Sequence, residues 1–188
     1  MSKFHVMTDI ETMGVGSNSP IIAIGAVSFD INAEPGTFDE LFYERVNLDS
    51  NLKAGRQVRA DTVAWWFRQN DNARHEAADA IERGMDLDKA LQSFRVFFDV
   101  VVSKGQIDGV WSHGASFDLP ILEDAYAANG DTAPWPFWAD RCSRTLAALT
   151  DARSVSVDRP RPTTAHDALE DSKAQAEWVQ RMWQSLSR

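Results

Sequence analysis

Two acids one residue apart close an apolar run near the start of the chain: Asp9 and Glu11 in Asp9-Ile10-Glu11-Thr12-Met13-Gly14. Residues i and i+2 of a strand share a face, so the two carboxylates converge if this run is a strand. Like charges on one face repel unless a cation lies between them, which is the physical reason to suspect a metal site. A solvated strand end is the ordinary alternative. A third acid, Asp118, lies in Ser116-Phe117-Asp118-Leu119-Pro120-Ile121-Leu122, where the spacing of Phe117, Ile121 and Leu122 starts a helix and Pro120 is tolerated in its first turn. Taken singly, Asp118 also reads as an acid favoured by the helix dipole. The last group is Ala165-His166-Asp167-Ala168-Leu169-Glu170-Asp171. Asp167 and Glu170 have the spacing of a capping box, which leaves His166 on the loop just before a helix and Asp171 in its second turn.

These residues need a scaffold. Phe4 to Ile10, Ile21 to Phe29 and Phe38 to Val46 are β-prone runs separated by turns, which predicts an antiparallel meander. Helical spacing follows in 62–69, 72–83 and 87–102, the last with apolar residues at Leu87, Leu91, Phe94 and Phe98. The segment Gly105 to Gly109 reads as a turn before a short strand at Val110 and Trp111, and Ser116 to Asn129 as a helix stopped by Gly130. Phe137 to Cys142 is expected to be a last strand, followed by a helix over 143–149, a polar surface loop over 151–164 and a final helix from near Asp167 to about Leu186. This order suggests an α/β fold with a ribonuclease-H-like sheet and flanking helices.

Composition bounds the setting. The 188 residues, 44% of them hydrophobic, suffice for one domain with one core. A net charge of −9, from 28 acidic and 19 basic residues, argues against a protein that coats long nucleic acid by charge alone. It is compatible with acids gathered around divalent cations. Cys142 is the only cysteine, so no intramolecular disulfide can form, in keeping with a reducing cytoplasm. The N-terminus lacks a signal-peptide pattern, and the apolar stretches are too short to span a bilayer, so no membrane association is expected. Seven tryptophans are a heavy load, concentrated at Trp65-Trp66 and Trp135-Pro136-Phe137-Trp138.

Together the three acidic segments resemble the signatures of the DEDDh 3′–5′ exonuclease superfamily: D-x-E on the first strand, an aspartate in an N-x-x-F-D-like strand-to-helix motif, and H-x-x-x-x-D at the C-terminal helix. They occur in that order across nearly the whole chain. The wording Asp-Ile-Glu-Thr-Met-Gly, Thr62-Val63-Ala64-Trp65-Trp66 and Ala165-His166-Asp167-Ala168-Leu169 is similar to the phage-type exodeoxyribonucleases and the small bacterial exoribonucleases. In the second signature His113 or Gly114 stands where many members carry Asn.

The resemblance implies a mixed five-stranded ribonuclease-H-like sheet and two divalent cations, Mg²⁺ or Mn²⁺. It implies Asp9 bridging the ions, Glu11 and Asp171 completing one site, and Asp118 acting directly or through water. It also implies His166 as general base, a role suited to a group that ordinarily titrates near ~6.5. The substrate would be the 3′ end of a single strand, with the wording leaning towards DNA over RNA and nucleoside 5′-monophosphates released. Thr12 and Met13 are expected at the terminal sugar and base, and Trp65 or Trp66 against a base, at most one of the two because adjacent helical residues diverge. Ser116 and Phe117 are further candidates, and Arg141, Arg144, Arg153, Arg159 and Arg161 are candidates to steer the strand. A homodimer is compatible with the resemblance. The rival expectations are an endonuclease or proofreading domain of the same fold, and a non-catalytic nucleic-acid-binding module.

Overall fold

In the computed structural model, which describes residues 3–114, 116–164 and 166–187, the β-prone runs assemble around one central strand. β1 (Lys3–Thr12) pairs antiparallel with β2 (Ile21–Phe29), and β2 pairs antiparallel with β3 (Leu41–Arg45), giving the expected meander. β4 (Gln106–Ser112) lies parallel to the other edge of β1, and β5 (Asp140–Cys142) is parallel to β4, so the order is β3-β2-β1-β4-β5. The sheet is therefore mixed and five-stranded. Ala115 and Ala165, which belong to two of the acidic motifs, lie outside the described residues.

Two sequence expectations are corrected. The segment from Gly105 to Gly109 is not a turn: from Gln106 it is strand, with Lys3 opposite Gln106 and His5 opposite Gly109. Gly109 serves close packing and not a turn, since a Cβ there would sit 2.9 Å from His5 Nδ1. The Phe137 to Cys142 run is divided, with Phe137–Ala139 a 3₁₀ turn after Pro136 and only Asp140–Cys142 strand. A short helix that the sequence does not announce, α1 (Leu48–Lys53), is capped by Asn47, whose side chain accepts from Ser50 N–H.

The remaining helices are α2 (Ala60–Trp66), α3 (Asp71–Arg83), α4 (Leu87–Lys104), α5 (Asp118–Ala128), α6 (Ser143–Ala152) and α7 (Ala168–Leu186). Alternation along β1 sorts its side chains between two layers. Phe4, Val6 and Ile10 pack with Leu91, Phe94 and Phe98 of α4 and Leu119 and Leu122 of α5. Met7 faces the other way, with Val27, Phe29 and Trp111, onto Leu146 of α6 and Ala176, Val179 and Met182 of α7. A side cluster of Met13, Ile22, Trp66, Ala73, Ala77 and Ala80 holds α2 and α3 beside the β1–β2 turn. Among the described residues no helix is long and apolar enough to cross a membrane.

Two contacts fix the parts that carry the acids. Gly25 stands opposite Asp9 in the β1–β2 ladder, and a Cβ on it would lie 2.1 Å from the carbonyl carbon of Ala168. The absent side chain lets the first turn of α7 rest directly on the sheet. Arg56, buried, donates to the carbonyls of Ser17, Ser19 and Ile121 and pairs with Asp124 at 3.0 Å, stapling the β1–β2 turn to α5.

Candidate active site

Asp9 and Glu11 point from the carboxyl end of β1 towards the face that α7 covers, as the two-residue period requires. Asp171, one turn into α7, descends on them because Gly25 leaves room. One carboxylate oxygen from each of the three lies within 4.8 Å of the others. Asp118 opens α5 and is 4% exposed. The β1–β4 pairing ends at Met7 opposite Trp111, and further along β1 the N–H of Ile10 donates instead to Asp118 Oδ1 at 3.3 Å. Asp118 thus caps the open edge of the sheet while standing next to the other acids.

Proximity and burial raise the cost of ionising this group. Burial and then the charges of Asp118, Glu11 and Asp171 hold Asp9 well above the usual carboxylate range. Burial, with Asp171 and Asp118, pushes Glu11 up to about 8. Burial lifts Asp118 to about 7 against the N–H of Ile10 and the charge of Arg144, which pull it down. Asp171 is also raised by burial, with the His166 N–H and the charges of His166 and Arg159 opposing. A set of oxygen donors that cannot all ionise unaided is the donor chemistry of hard divalent cations, and the cluster fits metal binding.

His166 precedes α7 with φ of 63°, a left-handed conformation uncommon for a residue with a side chain. Its N–H donates to Asp171 Oδ2 at 3.1 Å. The imidazole meets the Trp65 ring edge to face at 4.9 Å between centroids, and Trp66 at 6.0 Å. After it, Asp167 accepts from Leu169 and Glu170 N–H, both at 3.0 Å, while Glu170 pairs with Lys173. Only the Asp167 half of the capping box is made.

Beside Glu11 opens a cleft of about 400 Å³ lined by Ile10, Thr12, Val15, Thr62, Trp65, Trp66 and Phe117, among others. It is mainly apolar and would admit one base and sugar. Of the clustered acids, Glu11 forms part of the wall of this nucleotide-sized recess.

Residues 4–183 match the model of the 3′-5′ exoribonuclease Rv2179c-like domain. The chain belongs to that family. It is also 31% identical, over 195 residues spanning 89% of this chain and 84% of the other, to a protein named exodeoxyribonuclease from Enterobacteria phage T4. The nuclease domain of 3′hExo, described as a DEDDh family member bound to rAMP, superposes with a TM-score of 0.64 at 14% identity, covering 96% of this chain and 92% of that one. E. coli exonuclease I in complex with a dA16 oligonucleotide superposes with a TM-score of 0.63 at 12% identity, over 99% of this chain and 42% of its own. These two likenesses show the ribonuclease-H-like fold. The protein is a 3′–5′ exonuclease of the DEDDh type.

Of the residues singled out in the sequence, this exonuclease brings Asp9, Glu11, Asp118, Asp171 and His166 together. Thr12 and Phe117 line the cleft. Both tryptophans line it, against the expectation of one, and their rings meet edge to face at 5.1 Å. Their roles differ. Trp66 is buried and donates to Thr12 O at 2.9 Å, whereas Trp65 is 40% exposed. Met13 does not line the cleft. Its side chain packs with Ile22 and Trp66, its N–H donates to Pro20 O and its carbonyl accepts from Arg59 N–H. Ser116 is exposed and is not among the lining residues.

The arginines divide. Arg144 and Arg159 lie close enough to lower Asp118 and Asp171, and Arg159 also contacts His113 Nε2 at 3.1 Å and stacks over Trp178. Arg141 is held elsewhere, on the carbonyls of Asp108, Trp138 and Asp140. Arg153 lines a groove with Leu149 and Trp183. His113, one of the two residues near the place of the family asparagine, is held by Ser143 Oγ at 2.8 Å, and burial with Arg159 and Arg144 lowers it to about 4. Sequence reasoning misses one residue of the site: Gln175, whose Nε2 donates to Asp9 Oδ1 at 2.8 Å.

Proposed function

We propose that this exonuclease removes nucleotides one at a time from the 3′ end of single-stranded DNA and releases nucleoside 5′-monophosphates, using two Mg²⁺ or Mn²⁺ ions. The observation that carries the reading is the meeting of Asp9, Glu11 and Asp171 within 4.8 Å, with Asp118 alongside and Glu11 also lining the cleft. When bound there, paired divalent cations supply charge stabilisation to both the attacking and the leaving oxygen of a phosphodiester. Asp9, Glu11, Asp118 and Asp171 would hold them.

The chain's own groups do the rest. His166 takes the proton from the attacking water, and its edge-on packing against Trp65 holds the ring in place. The exposed face of Trp65 and the edge of Phe117 receive the terminal base, a stacking contact worth about 1–3 kcal/mol per base. The Thr12 hydroxyl donates to Gly14 O at 2.7 Å, which leaves its oxygen free to accept from the terminal sugar. Arg144 and Arg159 provide positive potential for the backbone of the incoming strand.

The name of the phage relative favours DNA, and the description of the family favours RNA as the second reading. Digestion of matched 3′-labelled and 5′-labelled DNA and RNA oligonucleotides with Mg²⁺, with Asp9→Ala as the inactive control, tests both. Release of labelled mononucleotide from the 3′ label at the first time point, faster on DNA, is the expected result. Faster release from RNA overturns the DNA assignment, and cutting of circular single strands overturns the exonuclease reading.

A further inference from the structure

Three buried or half-buried glutamines on α7 face the sheet layer, and they differ in what they hold. Gln180 spends both ends of its amide on backbone: Oε1 accepts from Gly36 N–H, and Nε2 donates to the carbonyls of Asp30 and Thr37. Gln184 donates to the carbonyls of Ile31 and Ala33. Both tie the chain after β2 to the helix, an ordinary structural role. Gln175 does something else. It is 3% exposed, its Nε2 donates to the side chain of Asp9 at 2.8 Å, and its Oε1 is the one buried side-chain polar atom without a partner among the described residues.

An unpaired buried carbonyl is a net cost, and natural interiors retain few of them. The surroundings do not call for a polar group, since Ala176 and Val179 pack in the same layer and a Leu or Met would fill the volume without an orphaned oxygen. The amide is therefore retained for its donor. Gln175 is the fourth residue after Asp171, so they stand one above the other on the same face of α7, and the pair straddles Asp9.

An ionised carboxylate has about four lone-pair directions, and one donor on Oδ1 fixes the plane of the group while leaving the others free. Asp118 and Asp171 are tethered in the same manner, by the N–H of Ile10 and of His166. Those donors are backbone and follow from the fold. The donor on Asp9 is a side chain that the sequence had to supply.

We propose that Gln175 is a positioning residue that orients the Asp9 carboxylate towards Glu11 and Asp171, so that the cation site is set before any ion arrives. The inference rests on the reading of this cluster as a divalent-cation site. Outer-shell partners of this kind typically change metal affinity or activity by about 10–100-fold when removed.

The test is Mn²⁺ binding by calorimetry on the intact protein without nucleic acid, comparing wild type, Gln175→Met and Gln180→Met, with thermal unfolding in chelator alongside. Methionine matches the length of glutamine and packs adaptably. The expected result is a loss of Mn²⁺ affinity of about 10-fold or more in Gln175→Met, with an unfolding midpoint close to wild type. Gln180→Met should show the reverse, a lowered midpoint and unchanged affinity. Equal Mn²⁺ affinity in wild type and Gln175→Met overturns the proposal while leaving the cation reading intact. A wild type that binds no Mn²⁺ overturns both. Gln175→Leu repeats the comparison with another shape, and collapse of the fold in both variants would make Gln175 a packing residue and overturn the proposal as well.

Discussion

The N–H of His166 donates to Asp171 Oδ2, so the proposed base and one proposed metal ligand are joined through backbone and not only through substrate. The left-handed turn at His166 is what aims that N–H, and such a conformation costs of order 1–3 kcal/mol in a residue with a side chain. His166→Asn is the informative substitution, because Asn tolerates the left-handed region and preserves the tether. Its kcat is expected to fall about 10²–10⁴-fold with Mn²⁺ affinity close to wild type. Single-turnover rates beside calorimetric Mn²⁺ titration decide it: equal losses of rate and affinity would remove His166 from the role of base.

The crowding of acids predicts a trade between activity and stability. Asp9→Asn keeps an oxygen for Gln175 and removes one of the mutually repelling charges, so in chelator it should be more stable than wild type by about 1–2 kcal/mol. In a chain of this size that is roughly 2–8 °C in Tm. Differential scanning calorimetry would show it, and a lower Tm would mean that the carboxylate stabilises the metal-free fold.

The same crowding sets a pH dependence. Glu11 moves from 4.5 unfolded to about 8 folded, and Asp118 from 3.8 to about 7. The folded protein therefore holds protons that the unfolded chain has released, and their contribution to stability is lost as pH rises through about 7 and 8. In chelator, Tm should fall between about pH 5.5 and 8.5, and Mg²⁺ should raise Tm more at the upper end, where protons no longer compete with it. A Mg²⁺ effect equal at both ends would refute the coupling.

Arg144 and Arg159 give a prediction about salt. Replacing both by Ala should raise KM for a single-stranded oligonucleotide and flatten its dependence on ionic strength, by about 0.7 in the log–log slope for each phosphate left without its cation. An unchanged slope would assign these cations to the folded state alone.

Gly25 has no part in chemistry, yet Gly25→Ala should abolish activity. Its Cβ would sit 2.1 Å from the carbonyl carbon of Ala168, and backbone on both sides cannot yield without lifting the start of α7. A stability loss of about 1–3 kcal/mol and loss of Mn²⁺ affinity are expected together. A variant with wild-type Mn²⁺ affinity would show that α7 can tilt without moving Asp171.

Much of this site is legible in the sequence because its residues obey local rules. The strand period aligns Asp9 with Glu11, and the Asp167 cap places the start of α7. The bounds of β2 are legible to the residue because its buried, β-branched run has turns on both sides. Long-range packing supplies the rest. Gln106 becomes strand through Lys3, about a hundred residues away, and α1 is too short for a periodic signal. Met13 adjoins the ligands in sequence, but the irregularity between Glu11 and Thr12 precedes a turn that sends its side chain to α3. Gln175 carries a weak signal, four residues after Asp171, which becomes meaningful only once Asp9 is known to lie beneath it.

Asp118 has a double employment that sets it apart from its companions. Besides its place among the acids it closes the gap where β1 and β4 part, taking the amide of Ile10 that no strand can reach. A descendant of this chain released from catalysis could shed Asp9 or Glu11 and relieve repulsion, but dropping the acceptor at 118 would leave a sheet edge unsutured. Drift away from nuclease activity should therefore leave Asp or Asn at this position as its last vestige.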